Sequence, residues 1–176
     1  MLTRPLHSRR ERRRRNLNVL AVQANLVCSY EKLGRIEEAL QMRRDIYSGR
    51  LKLNGDSHEE TLLAANNYAY SLIGLKRFEG SKSVLRKSIL VARRVLGESN
   101  NTALRLRLSW NYARALYEDG ATLDDLNLRE AITTLDDTDR IARRVLGGSH
   151  PLTAQIEQEL QIARAILRAR EAPRAA

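Results

Sequence analysis

Ala92-Arg93-Arg94-Val95-Leu96-Gly97 recurs unchanged as Ala142-Arg143-Arg144-Val145-Leu146-Gly147, at an offset of 50. Six identical residues in a row at such a spacing mark an internal repeat. A second register, at an offset of 42, lies upstream. It places Asn25-Leu26 over Asn67-Tyr68, Leu33 over Leu75, Arg35 over Arg77, Ile36 over Phe78 and Glu37 over Glu79. Gly55-Asp56-Ser57-His58 then meets Gly97-Glu98-Ser99-Asn100. The chain therefore contains three related units.

The units read as helices. The three prolines are Pro5, Pro151 and Pro173, so none interrupts 6–150, a stretch rich in Leu, Ala, Arg and Glu. No sustained period-2 alternation suggests a strand. In the first unit, helix A runs from about Leu17 to Lys32 and helix B from about Ile36 to Leu53. Gly34 makes the turn between them and Asn54-Gly55 ends the second, because glycine tolerates positive φ after a helix. In the second unit the helices cover about 58–74 and 77–96. Ser57 with Glu60 three residues on forms an expected capping box, and Gly97 is the expected stop. The third unit carries an insertion of about six residues around 118–127. Thr122, with Asp124 and Asp125 following, reads as a fresh helix start with acids at the positive end of the dipole. After Gly147-Gly148-Ser149-His150-Pro151, a final helix runs to about Arg170, its apolar stripe formed by Ile156, Leu160, Ala163 and Leu167. The division is an arm, 1–16, expected to be disordered; repeats over 17–56, 57–98 and 99–148; a capping helix, 151–170; and a frayed tail, 171–176.

Composition narrows the function. The chain has 176 residues, 31 Lys plus Arg against 21 Asp plus Glu, and a net charge of +10. Seven of the arginines, Arg4, Arg9, Arg10, Arg12, Arg13, Arg14 and Arg15, precede Leu17 with Glu11 as the one acid. The basic character thus belongs mainly to the arm. That arm fits nuclear import or phosphate contact, mitochondrial targeting, or a solvated flank at the end of a longer helix. It has no apolar core of the kind a secretory signal needs. No apolar run approaches the roughly 20 residues of a membrane helix, so no membrane partner is expected. One cysteine, Cys28, excludes an internal disulfide and points to the cytoplasm, with the nucleus as the alternative the arm allows.

Signals for catalysis are missing. His7, His58 and His150 are the only histidines, and His58 and His150 sit in equivalent inter-repeat turns. With a single cysteine no zinc set has the usual spacing, and no phosphate loop follows Gly147-Gly148. The acid pairs Asp124-Asp125 and Asp136-Asp137 read as solvated faces. Arg93-Arg94 and Arg143-Arg144 suit the negative ends of their helices. Cys28 is expected as a small core residue and Trp110 as a packed one. No enzyme activity, metal or cofactor is expected.

Thr61-Leu62-Leu63-Ala64-Ala65-Asn66-Asn67-Tyr68-Ala69, Gly34-Arg35-Ile36-Glu37-Glu38-Ala39 and the Val95-Leu96-Gly97 linker resemble tetratricopeptide repeats of the roughly 42-residue kinesin light chain type. The resemblance covers about 17–170. It implies an all-α fold, a right-handed α-solenoid of antiparallel helix pairs whose A helices line a concave groove. Such grooves bind extended peptides or partner proteins, acidic segments among them. The groove positions it implies here are Asn25, Asn66, Asn67, Tyr70, Asn111 and Arg114. An asparagine amide both donates and accepts, and so can pair with peptide backbone without reading side chains. The leading expectation is a non-catalytic scaffold. The alternatives are a nucleic-acid-associated protein acting through the Arg-rich arm, and a truncated repeat-family fragment without an independent partner. Leu17, Val19, Leu20 and Val22 follow the arginines directly and suggest self-association through that end.

Overall fold

The computed structural model describes residues 4–96, 102–119 and 124–171. Every regular element among them is an α-helix: α1 Arg4–Lys32, α2 Ile36–Asn54, α3 Glu59–Gly74, α4 Phe78–Val95, α5 Thr102–Tyr117, α6 Asp125–Leu146 and α7 Pro151–Glu171. The chain divides into two compact units, one up to Tyr68 and one from Ala69, with the boundary inside α3. No described helix is long and apolar enough to cross a membrane.

In the first unit α1 packs on α2. Leu20, Val27, Ala39, Ile46 and Ala64 form its core, with Tyr30, Met42, Tyr47 and Leu53 packed against it. Tyr47 stacks on Tyr68 at 6.2 Å between centroids. Arg43 ties α2 to α1 through Glu31 at 2.8 Å, and Arg50 ties α2 to Glu60 at the start of α3. Gly49 is a close-approach site, because a Cβ there would meet Leu20 Cδ2 at 2.8 Å. Val19, Val22 and Leu26 stay exposed on α1.

In the second unit α5 packs against α4 and α6, and α6 against α7. Leu85, Leu108, Leu116, Leu128, Leu135 and Ile156 are fully buried, each contributing roughly 1.5–3 kcal/mol of transfer free energy. The repeat register sets which residues do this. Ala69, Ala113 and Ala163 fall at matching positions of α3, α5 and α7 and are all 0% exposed. Alanine suits such a position because a longer side chain would overfill the helix contact. Ser81 takes the matching small-residue position on α4, and its hydroxyl donates to the Ala69 carbonyl at 3.1 Å. Helix α7 thus has the register of a further A helix as well as the stripe of a cap.

Four expectations need correction. Residues 4–16 are helical and continue into α1, where an arm without structure was expected. Propensity explains this, since arginine is a good helix former and Pro5 sits in the first turn, where its missing N–H costs nothing. Second, the Ser57/Glu60 capping box does not form. Helix α3 starts at Glu59, one residue too late for Ser57, whose hydroxyl donates to Asp56 at 2.8 Å. His58 caps instead: its Nδ1 accepts from the Glu60 amide at 3.2 Å. His150 repeats the device with the Leu152 amide at 3.1 Å. Third, α6 is capped by Asp124, whose Oδ1 accepts from the Asn127 amide at 2.7 Å. Thr122, like the expected stop Gly97, lies outside the described residues. Fourth, Cys28 is exposed; its register explains why, as shown next.

Candidate peptide-binding face

Helices α1 and α3 each present one row of residues away from their packed sides. On α3 the row is Leu63, Asn67, Tyr70 and Gly74, all exposed, at steps of four, three and four. These steps return to one face of a 3.6-residue helix. The repeat register carries the row to Arg107, Asn111 and Arg114 on α5 and Glu118 just after it, and back to Ala21, Asn25, Cys28 and Lys32 on α1. Cys28 therefore occupies the position of Tyr70 and Arg114. It faces out as Tyr70 does, since the rows of α1 and α3 are exposed throughout.

In the second unit the row brings together Tyr70 and Arg114. Tyr70 is 52% exposed. The Arg114 guanidinium lies 5.8 Å from its ring centroid, within reach of a cation–π attraction. Arg114 Nε also donates to Glu118 at 2.6 Å. Burial is the largest single influence and opposes the charge of Arg114, but the hydrogen bond to Glu118 together with the charges of Glu118 and Glu159 outweighs it, so its pKa lies above the ordinary value. Glu159 on α7 is half-buried. Burial pushes its carboxyl up, and the charge of Arg114 pulls it partly back. Arg107 is exposed and meets no acid among the described residues. Trp110, expected to be packed, is half-buried, and its Nε1 is enclosed without an acceptor among the described residues.

The asparagines divide. Asn25 and Asn67 are exposed, as a backbone-binding role requires. Asn67 Oδ1 accepts from Asn66 Nδ2 at 3.4 Å. In the same unit a small cavity of about 60 Å³ is lined by Ala24, Val27, Arg43, Ile46, Ala64 and Asn67. Asn66 and Asn111, at 6% and 2% exposure, are buried. Asn111 has the same register as Asn67, but α5 is packed by α4, α6 and α7. Its amide therefore sits among helices, not on the open row.

The other sequence signals resolve into structure. Arg13 Nη2 donates to Asn54 Oδ1 at 3.3 Å, joining α1 to α2. The side chains of Arg9, Arg10, Arg12, Arg14 and Arg15 lie outside the described residues. The acid pairs are engaged by arginines: Asp125 by Arg170 at 3.4 Å, Asp136 by Arg164 at 2.6 Å and Asp137 by Arg140 at 2.5 Å. Among the described residues, no group of three His, Cys, Asp or Glu side chains could hold a metal ion. Two polar links escaped the sequence reading. Tyr112 Oη accepts from Arg86 Nε at 2.7 Å and donates to Glu130 at 2.6 Å, connecting α4, α5 and α6. Lys82 Nζ meets Asp119 Oδ2 at 3.1 Å, and both residues are buried. Long sequence separations hide both.

The tetratricopeptide repeat family model matches residues 19–60 and 61–103. Residues 19–103 thus match tetratricopeptide repeats, and the fold of the chain is similar to that of the kinesin light chain-like repeats. Two crystal structures of nearly identical TPR-like repeats, from a kinesin light chain-like protein of Podosopora anserina, are similar to it. One has a TM-score of 0.60 at 20% identity, covering 85% of this chain and 73% of that one. The other has a TM-score of 0.59 at 19% identity, covering 88% and 77%. BtubC (BKLC) from P. vanneervenii has a TM-score of 0.52 at 14% identity, covering 89% and 68%. No curated protein sequence matches the chain.

Proposed function

We propose that the chain is a non-catalytic scaffold that binds an extended peptide of a partner protein on the exposed row of its A helices. The observation that carries this reading is the pairing of exposed Tyr70 with Arg114. Tyrosine and arginine are the residue types that dominate binding energy at protein interfaces, since each offers a large flat surface with a polar end. A cation on the Tyr70 ring, with exposed Arg107 two turns back along α5, favours a peptide with an apolar anchor flanked by acids. In the first unit, Asn25 and Asn67 hold matching positions and suit the peptide backbone. The test is selection of displayed dodecapeptides on the immobilised chain, followed by anisotropy titration of the winners. Tyr70→Ala combined with Arg114→Ala is expected to weaken binding tenfold or more. Unchanged affinity would remove the assignment.

The exposed Val19, Val22 and Leu26 support a second contact, between copies of the chain through α1. Sedimentation equilibrium would show a dimer that Val22→Glu dissociates. A monomer at all concentrations would dismiss it.

A further inference from the structure

We propose that the second unit carries a separate docking cleft on its B-helix side, which takes a branched aliphatic side chain followed by a carboxylate from an acidic peptide of a partner protein. A cleft of about 270 Å³ opens where α4, α5 and α6 meet. It exists because small side chains stand where large ones would close the gap: Ala92 on α4, Ser109 on α5 and Thr134 on α6 all line it. Its apolar lining comes from Ile89, Leu106 and Ile141. Two of its hydroxyls need nothing from a ligand, because Thr133 and Thr138 already donate to the carbonyls of Arg129 and Thr134, at 2.9 and 2.6 Å.

Charge selects the occupant. Asp137 at the cleft is engaged by Arg140 at 2.5 Å. Arg93 meets no carboxylate among the described residues, and the bond found for Arg105 is a long one, 3.4 Å, to the Leu96 carbonyl. The cleft therefore holds two guanidinium groups that no described carboxylate pairs, beside an apolar lining and the Arg140-bound Asp137. A guanidinium fork binds a carboxylate through two parallel hydrogen bonds. The volume lies below the roughly 300–1,000 Å³ typical of pockets for drug-sized ligands and cofactors. It suits one side chain and its charged neighbour. The lining has no aromatic ring on which a nucleic-acid base could stack. The cleft is distinct from the A-helix row, because Arg105 and Arg114 are nine residues apart, which places them on opposite faces of α5 at about 100° per residue.

The test uses the full chain and fluorescein-labelled dodecapeptides with a central Leu-Asp, Leu-Glu, Leu-Lys or Ser-Asp pair, read by anisotropy. Leu-Asp and Leu-Glu peptides are expected to bind saturably, and the other two at least tenfold more weakly. Arg93→Glu, and Thr133→Trp placed on the exposed rim, should each weaken Leu-Asp binding at least tenfold while circular dichroism stays unchanged. Tyr70→Ala should leave that binding intact, which separates this cleft from the A-helix row. The proposal is overturned if the Leu-Asp peptide fails to saturate, if both cleft variants bind it as the parent does, or if Tyr70→Ala abolishes it. Competition by single-stranded DNA but not by unlabelled peptide would overturn it equally.

Discussion

Lys76 adopts, at the turn between α3 and α4, the left-handed backbone that Gly34 adopts between α1 and α2, with φ of 55° and 73°. Both turns close with the same hydrogen bond, from Arg77 N to the Leu72 carbonyl at 2.8 Å and from Arg35 N to the Tyr30 carbonyl at 2.9 Å. The repeat register requires the conformation at both places, but only Gly34 reaches it without a Cβ clash. For an L-residue the left-handed region costs roughly 1–2 kcal/mol. Lys76→Gly should therefore stabilise the chain by about 0.5–1 kcal/mol, after the greater unfolded-state freedom of glycine is subtracted. That corresponds to a rise of roughly 1–4 °C in Tm. Gly34→Lys should lower Tm by a similar amount. Calorimetry on both variants checks the pair.

Gly147 ends α6 with φ 88° and ψ 159°, and Gly55 ends α2 with φ 82° and ψ 173°. That region is nearly closed to residues with a side chain, at a cost of order 1–3 kcal/mol. Gly147→Ala is expected to lose that amount in urea unfolding. Gly148→Ala has no positive φ to contend with and meets only the end of the flexible Arg143 side chain, at 3.6 Å. It should change stability by less than about 0.5 kcal/mol.

The Lys82–Asp119 pair is buried at 5% and 6% exposure, with Glu79 also bonded to Lys82. Removing one member of a buried pair strands the other charge, at about 3–5 kcal/mol. Asp119→Ala should lie near the lower figure, since Glu79 still holds Lys82. The double replacement Lys82→Met with Asp119→Leu should recover most of the loss. Urea melts of the single and double variants decide this.

Glu159 gives a pH signature. Its carboxyl is raised above 4.5 by burial, against the pull of Arg114. An acid raised on folding is held protonated more tightly in the native state. Its contribution is complete below the unfolded value and is lost as pH climbs through the folded one. Glu159→Gln abolishes the titration. The Tm of the variant relative to the parent should rise between pH 4 and pH 7. A gap that stays level, or moves toward the parent, contradicts the assignment.

The helices were legible because glycine, proline and a repeated six-residue string punctuate them. Gly34 and Gly55 fell where they were expected for a backbone reason that the residue type itself carries. The caps were harder. Ser57 and Glu60 fit a pattern, yet the helix begins one residue late, and the imidazole of His58 does what the hydroxyl was expected to do. Cys28 was readable in principle: the register that aligns Asn25 with Asn67 also aligns Cys28 with exposed Tyr70. Asn111 was not, since its burial depends on the packing of α4, α6 and α7 around α5. The cleft at Arg93 and Arg105 depends on small side chains from three helices, a coincidence that no single stretch of sequence displays.

The most direct test of peptide binding is amide chemical-shift mapping on the labelled full chain, titrated with a peptide selected by display. Binding to the A-helix row predicts the largest shifts at Tyr70, Arg107 and Arg114, with loss of those shifts in Tyr70→Ala. Shifts confined to α4 and α6, or the same pattern retained in Tyr70→Ala, would contradict it.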